Sequence, residues 1–252
     1  MVYSTLIDAA TLHAHLEDPD WVVVDCRFNL MDTEAGLRAY HEGHIPGARY
    51  AHLDRDLSSP VTADSGRHPL PDPDTFAATL GAWGIDQTTQ VVAYDAGPGS
   101  VAARLWWMLR WLGSTRCAVL DGGLGAWQAA GYSLDSITPE PTLRVFTPHP
   151  GANDWVDTAT VADAGGTELV VLDARTRARF RGEAEPIDPV AGRIPGSLSA
   201  PLESNLRDGR FLDPASLRQR FVEIIGERDP RSVVHSCGSG VSACHNLLAM
   251  EV

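Results

Sequence analysis

The chain has 252 residues, enough for two domains of ordinary size, and its 44% hydrophobic and 21% charged side chains exclude an intrinsically disordered chain. Thirty-three acidic against 20 basic residues leave a formal charge of −13, which repels phosphate backbones and acidic membrane surfaces, so neither a nucleic-acid nor a membrane partner is expected. No apolar run approaches the ~18–20 residues of a membrane helix, and the N-terminal MVYSTLIDAATLH lacks a basic segment followed by an apolar core. A cytoplasmic location is the expectation.

In chain order, short β-branched runs stand at Trp21–Asp25 (WVVVD), Val91–Tyr94 (VVAY), Ala118–Asp121 (AVLD), Leu169–Asp173 (LVVLD) and Ser232–His235 (SVVH). Each ends in a polar residue or a turn, as buried parallel strands do. Helical patterns lie between them, for example over Val101–Leu112 and Pro214–Ile225. The alternation predicts an α/β fold with mainly parallel sheets flanked by helices.

The two halves repeat one plan. VVVDCR at Val22 is echoed by VVLDAR at Val170, HIPGA at His44 by RIPGS at Arg193, and VVAYDAGPGSVAARL at Val91 by VVHSCGSGVSACHNL at Val233. Three matches in one order and nearly one register indicate a duplication. Thr138–Asn153 holds four prolines and no helical period, which predicts an extended linker. Domains are therefore expected at 1–137 and 154–252, with 138–153 between them. The first half continues through a further strand and helix, Cys117–Tyr132. The second reaches Val252 in or just beyond the helix after Cys237, so it is expected to be short by that element.

The four cysteines, Cys26, Cys117, Cys237 and Cys244, form no Cys-x-x-Cys pair and no cluster with zinc-finger spacing, so free thiols and no metal are expected. Cys237 follows a strand and opens a glycine-rich turn before a helix, CGSGVSACHNLLAM. Reactive groups of open α/β sheets gather at such strand ends. Gly238 and Gly240 permit backbone angles closed to other residues, so the turn can aim successive N–H groups at one centre, and the helix N-terminus adds partial positive charge. Both effects favour a thiolate at Cys237. Cys26, Cys117 and Cys244 read as packing residues, the last two turns into its helix.

At this point the residues meet a known family. The loop CGSGVSA at 237–243 resembles the active-site loop of 3-mercaptopyruvate sulfurtransferases. HIPGA, RIPGS, RLWWMLR at Arg104, LDGGLGAW at Leu120 and RFRGEAEPID at Arg179 resemble the flanking motifs of tandem rhodanese proteins. The resemblance implies two rhodanese-like domains, the first catalytically silent, in agreement with Asp95 standing where the second copy has Cys237. It implies ping-pong transfer of sulfane sulfur through a Cys237 persulfide, from a small-molecule donor to a thiol, thioredoxin or cyanide, with no cofactor and as a monomer or weak dimer.

The resemblance also implies site residues. Ser239 matches a serine that relays a proton with an aspartate and a histidine of the first domain, here Asp54 and His68. Gly238, Gly240, Val241 and Ser242 of the loop bind substrate, with Arg179 gripping the donor carboxylate. Where many mercaptopyruvate enzymes have a second arginine this chain has Asp188, and Arg193 is the candidate substitute. Thiosulfate-using relatives carry basic residues just after the cysteine, and Gly238-Ser239-Gly240 offers none, which favours mercaptopyruvate. Thiosulfate transfer and a non-turnover persulfide carrier stay open as alternatives. A phosphatase needs Cys-x5-Arg, and the sixth residue after Cys237 is Ala243.

Overall fold

Valine-rich runs favour the pleated, fully buried surface of a central strand, and here they form the middles of two separate sheets. The structure is a computed structural model that describes residues 1–151, 155–163 and 169–252. Its chain divides into two units, Met1–Gly151 and Ala152–Val252.

In the first unit the order is β1 (Leu6–Ile7), α1 (Ala9–Ala14), β2 (Trp21–Asp25), α2 (Ala35–Glu42), β3 (Arg49–Tyr50), α3 (Pro73–Ala82), β4 (Gln90–Tyr94), α4 (Ser100–Trp111), β5 (Cys117–Leu120) and α5 (Gly123–Ala129). The sheet is parallel throughout, in the order β1-β5-β4-β2-β3. Leu12, Val23, Ile45, Val92, Leu120 and Trp127 pack a core on it. Helix α4 buries Ala102, Ala103, Leu105, Trp106, Met108 and Leu109, more than one face, as a helix enclosed by its own unit must. Asp72 starts α3 by accepting the amides of Asp74 and Thr75, with Pro73 in the first turn, where its missing N–H costs nothing.

The second unit follows the same plan with α6 (Thr158–Asp163), β6 (Val170–Asp173), α7 (Arg177–Arg181), β7 (Leu198–Ser199), β8 (Leu206–Arg207), β9 (Arg210–Phe211), α8 (Pro214–Ile225), β10 (Val233–Ser236) and α9 (Ser242–Glu251). Its parallel sheet has the order β10-β6-β7, and β8 and β9 form a separate antiparallel hairpin. Asp208 (φ 52°) and Gly209 (φ 76°) both turn left-handed at its tip, as a two-residue hairpin turn requires. Asp213 and Pro214 start α8 as Asp72 and Pro73 start α3. Leu172, Leu217, Phe221 and Ile225 form the core. The cysteine strand β10 has one neighbour, β6, whereas its counterpart β4 lies between β5 and β2; among the described residues the second sheet has no equivalents of β1 and β5.

The proline-rich stretch expected as a linker has neither helix nor strand over its described residues, and as far as Gly151 it belongs to the first unit. Arg144 donates its amide to Gly81 O and its guanidinium to Asp86 and Asp20, the His149 and Gly151 amides bond Leu112 O and Trp111 O, and Phe146 is buried. A chain without helical period still carries amides and carbonyls that need partners, and here the first unit's surface supplies them. Residues 152–154 lie outside the described residues.

Close packing against the turn after β2 fixes the position of α2. A Cβ on Gly36 would stand 1.9 Å from Arg27 O and 2.5 Å from the Tyr50 hydroxyl, which itself donates to Arg27 O. Helix propensity alone favours alanine over glycine by about 1 kcal/mol. The clash is with backbone and outweighs that gain, so Gly36→Ala is expected to lower the urea midpoint of unfolding; an unchanged or higher midpoint would refute this packing.

Candidate active site

Both units carry the same charged frame: an aspartate closing an inner strand, β2 or β6, and an arginine two residues on. Asp25 is gripped by Arg27 through Nε and Nη2, and Nη2 also donates to Gly43 O. Asp173 is gripped by Arg175 in the same way, and Arg175 Nη2 donates to Gly192 O. The bidentate pairing fixes both planes. Its signal in the sequence was the repeated Asp-x-Arg of VVVDCR and VVLDAR, which marked a duplication without revealing the pairing.

Next to each frame lies the loop after the neighbouring strand. In the first unit that loop encloses Asp95, which is 5% exposed. Its Oδ1 accepts the amides of Gly97 and Gly99, and its Oδ2 those of Val101 and Ala102 in the first turn of α4. The carboxylate thus caps a helix whose own N-cap, Gly99, has no side chain to do so. Burial pushes the Asp95 carboxyl up, and the four amides oppose it. The loop is an anion cradle with its anion built in.

In the second unit Cys237 takes the place of Asp95. Asp173 and Ser236 are paired in register, and Ala174 N bonds Ser236 O, so Arg175 and Cys237 leave adjacent strand ends. The amides of Ser239 and Gly240 point at Cys237 Sγ, at 3.5 and 3.1 Å. Gly240 is left-handed (φ 73°), the conformation that turns its N–H inward; Gly238 is not among the left-handed glycines, so only one of the two expected special angles is used. Val241 precedes α9 as its N-cap and Ser242 is its first residue. Cys237 is half-buried, while Cys26, Cys117 and Cys244 are buried. Burial pushes the Cys26 and Cys117 thiols well up, which keeps them protonated. Cys244 was expected two turns into the helix; it lies in the first turn, because α9 begins only at Ser242, and its thiol donates to Gly240 O at 3.1 Å.

Arg179 sits in α7 and forms the outer part of a charged chain that starts beside the cysteine loop. Glu185, whose side chain is 4% exposed, accepts from Arg175 Nη1 and Arg179 Nε and from the amides of Ile187 and Asp188. Arg179 Nη2 also donates to Asp188 at 2.7 Å. Arg179 holds the Glu185 carboxyl below the usual range. The Asp173 bonds raise Arg175 against the cost of burial, with smaller help from Glu185 and Cys237. Arg193 is outside this chain: it is exposed, stacked 4.7 Å over Phe180 and bonded to Phe180 O.

Asp54 and His68 come together within the first unit, His68 Nε2 lying 3.1 Å from Asp54 Oδ1. Burial lowers the His68 imidazole and Asp54 opposes that shift, so the ring is neutral near pH 7. His52, which the sequence reading passed over, accepts the Asp54 amide at Nδ1.

Comparison with known proteins agrees with this architecture. Residues 8–130 match the family model of the rhodanese-like domain. The whole chain is 51% identical, over 258 residues, to a Pseudomonas aeruginosa protein named "Probable 3-mercaptopyruvate sulfurtransferase", of which it covers 90%. The chain belongs to the rhodanese family of sulfurtransferases. A further relative of this sulfurtransferase is the Arabidopsis thaliana "Thiosulfate/3-mercaptopyruvate sulfurtransferase 1, mitochondrial", 33% identical over 95% of this chain and 68% of that one. Among solved structures, SseA from Escherichia coli, a 3-mercaptopyruvate sulfotransferase, superposes with a TM-score of 0.86 at 30% identity, covering 99% of this chain and 94% of that one. The tandem rhodanese-like fold expected from the sequence is therefore the fold of this protein.

No described helix of the sulfurtransferase is long and apolar enough to cross a membrane, and the described residues contain no cluster of three or more metal-ligating side chains. The exposure difference among the thiols gives a direct check. Iodoacetamide on the native protein is expected to modify Cys237 first, with the other three cysteines reacting only after denaturation. Peptide mass mapping that found Cys244 or Cys26 modified as fast as Cys237 would remove the special status of this loop.

Proposed function

We propose that this rhodanese-family sulfurtransferase takes sulfur from 3-mercaptopyruvate onto Cys237 and passes it to a thiol, with thioredoxin or cyanide as further acceptors. The observation that carries the reading is the half-exposed Cys237 Sγ facing two main-chain amides at a strand end. Its counterpart loop in the first unit holds a carboxylate with four amides, which supports reading the loop as an anion cradle.

In the first step the Cys237 thiolate attacks the donor sulfur. An S–S bond forms, the C–S bond breaks, and its electron pair leaves on the methylene carbon as pyruvate enolate, which takes up one proton to give pyruvate. In the second step an acceptor thiolate attacks the outer sulfur, forming the acceptor persulfide and returning Cys237 as thiolate. Amides fixed before the reaction stabilise negative sulfur without reorganising. Ser239 and the His68–Asp54 pair are assigned the proton transfers, a neutral imidazole being able to accept a proton and, as imidazolium, to return it. The donor carboxylate is assigned to Arg179, with Gly238, Gly240, Val241 and Ser242 lining the donor sulfur. Arg193, engaged by Phe180, is left out of the donor site. A cytoplasmic location, where thiols stay reduced, belongs to the same reading.

Thiosulfate is the second donor, favoured by the names of relatives and opposed by a loop without basic side chains. Mercaptopyruvate should leave the wild-type protein one sulfur atom heavier, the gain being lost with dithiothreitol, and Cys237→Ser should show neither the gain nor pyruvate release. Pyruvate release by Cys237→Ser at the wild-type rate would sink the proposal. His68→Ala is expected to lower kcat about a hundredfold while leaving the rate of Cys237 alkylation unchanged; an unaffected kcat would take His68 out of the reaction.

A further inference from the structure

The turn that carries Asp54 closes on one neighbouring residue, His52. His52 N donates to Asp56 Oδ2 at 2.7 Å, His52 O accepts the amides of Arg55, Asp56 and Leu57, and His52 Nδ1 accepts the amide of Asp54 at 3.2 Å. The first two contacts use main-chain atoms that any residue except proline supplies. The third depends on the imidazole. It is the bond that asparagine or aspartate makes to the amide two residues on in an Asx-turn, made here by a ring nitrogen.

An accepting Nδ1 carries no proton, so the ring hydrogen is on Nε2. Nε2 lies 3.6 Å from Glu34 Oε1, beyond hydrogen-bond range but facing a carboxylate, which favours that tautomer. His52 is buried, and Phe28 stands nearly perpendicular to both its ring and that of His68, with centroids 5.5 and 6.2 Å away. Asp54 has less to hold it. Its side chain is 39% exposed, and among the described residues the one hydrogen bond to its carboxylate is from His68 Nε2. That bond leaves Nδ1 as the basic nitrogen of His68, buried and without a hydrogen-bond partner among the described residues. The placing of Asp54 therefore decides which nitrogen of His68 takes a proton.

We propose that His52 is a positioning residue of the sulfur-transfer reaction: its ring anchors Asp54 and, through Asp54, fixes the tautomer and direction of His68. The inference rests on assigning proton transfer to the His68–Asp54 pair and adds a third member that acts through the second. It extends to histidine the general rule that a catalytic base is oriented by a further group.

The test compares substitutions at His52. His52→Leu keeps a buried apolar side chain and removes the acceptor. His52→Gln, whose amide oxygen falls near the Nε2 position, removes it with a polar side chain. His52→Asn restores it, its Oδ1 reaching the Asp54 amide in an ordinary Asx-turn. His52→Leu and His52→Gln are expected to lower kcat for mercaptopyruvate about tenfold with KM nearly unchanged, and His52→Asn to stay within about twofold of wild type. The second readout is the NMR titration of the His68 ring. Asp54 raises the His68 imidazole against burial, while Arg104 and Arg67 lower it. His68 should therefore titrate at lower pH in His52→Leu and His52→Gln, and as in wild type in His52→Asn. Cys237 alkylation by iodoacetamide should keep its wild-type rate in all three, showing the cysteine loop intact. An unmoved His68 titration in His52→Leu and His52→Gln, or an His52→Asn as impaired as they are, would overturn the role of His52. A titration that moves and is rescued by His52→Asn while kcat stays at the wild-type value would keep His52 as the anchor of Asp54 and reject proton transfer through His68.

Discussion

The constraint on which the rest of this structure depends is that a turn of converging main-chain amides needs a negative partner. A buried N–H without an acceptor costs free energy comparable to a lost hydrogen bond, and the strand-to-helix loop of each unit aims several of them inward. The first unit meets the demand with the Asp95 carboxylate, which also stops the otherwise uncapped N-terminus of α4. The second meets it with Cys237 Sγ and two amides. One loop geometry thus serves as a structural cap in one copy and as a seat for sulfur in the other, and a single residue decides between them.

Around each loop the same scaffold is conserved between the two copies, down to individual hydrogen bonds. Asp25–Arg27 with Gly43 O and Asp173–Arg175 with Gly192 O are superimposable in kind. They clamp the end of the strand beside the loop, so the loop hangs from a rigid edge. What differs is the surroundings. In the second unit Arg175 extends the frame into Glu185, Arg179 and Asp188, a chain of alternating charges.

The parallel strands were legible because short valine-rich runs closed by a polar residue fit a buried strand, and α8 because proline after aspartate marks its first turn. The cysteine loop was legible because glycines, a preceding strand and a following helix are all local. The two-residue strands Leu6–Ile7 and Leu198–Ser199 were not, since a pair of residues has no period. The β8–β9 hairpin carried a readable Asp208-Gly209 turn that was passed over. The Glu185 hub joins residues ten positions apart through side-chain geometry, and nothing in the sequence said that Arg179 is already engaged. Position within the first turn of α9 could not be fixed either, because helix starts without a side-chain cap leave no local mark, which is why Cys244 was placed too deep.

One consequence follows from Asp95 holding its loop by a covalently attached carboxylate. That loop never has to be charged, discharged or regenerated, and its carboxylate offers peroxide nothing to oxidise. Three of the four sulfhydryls are buried, so among the thiols oxidation is directed to Cys237.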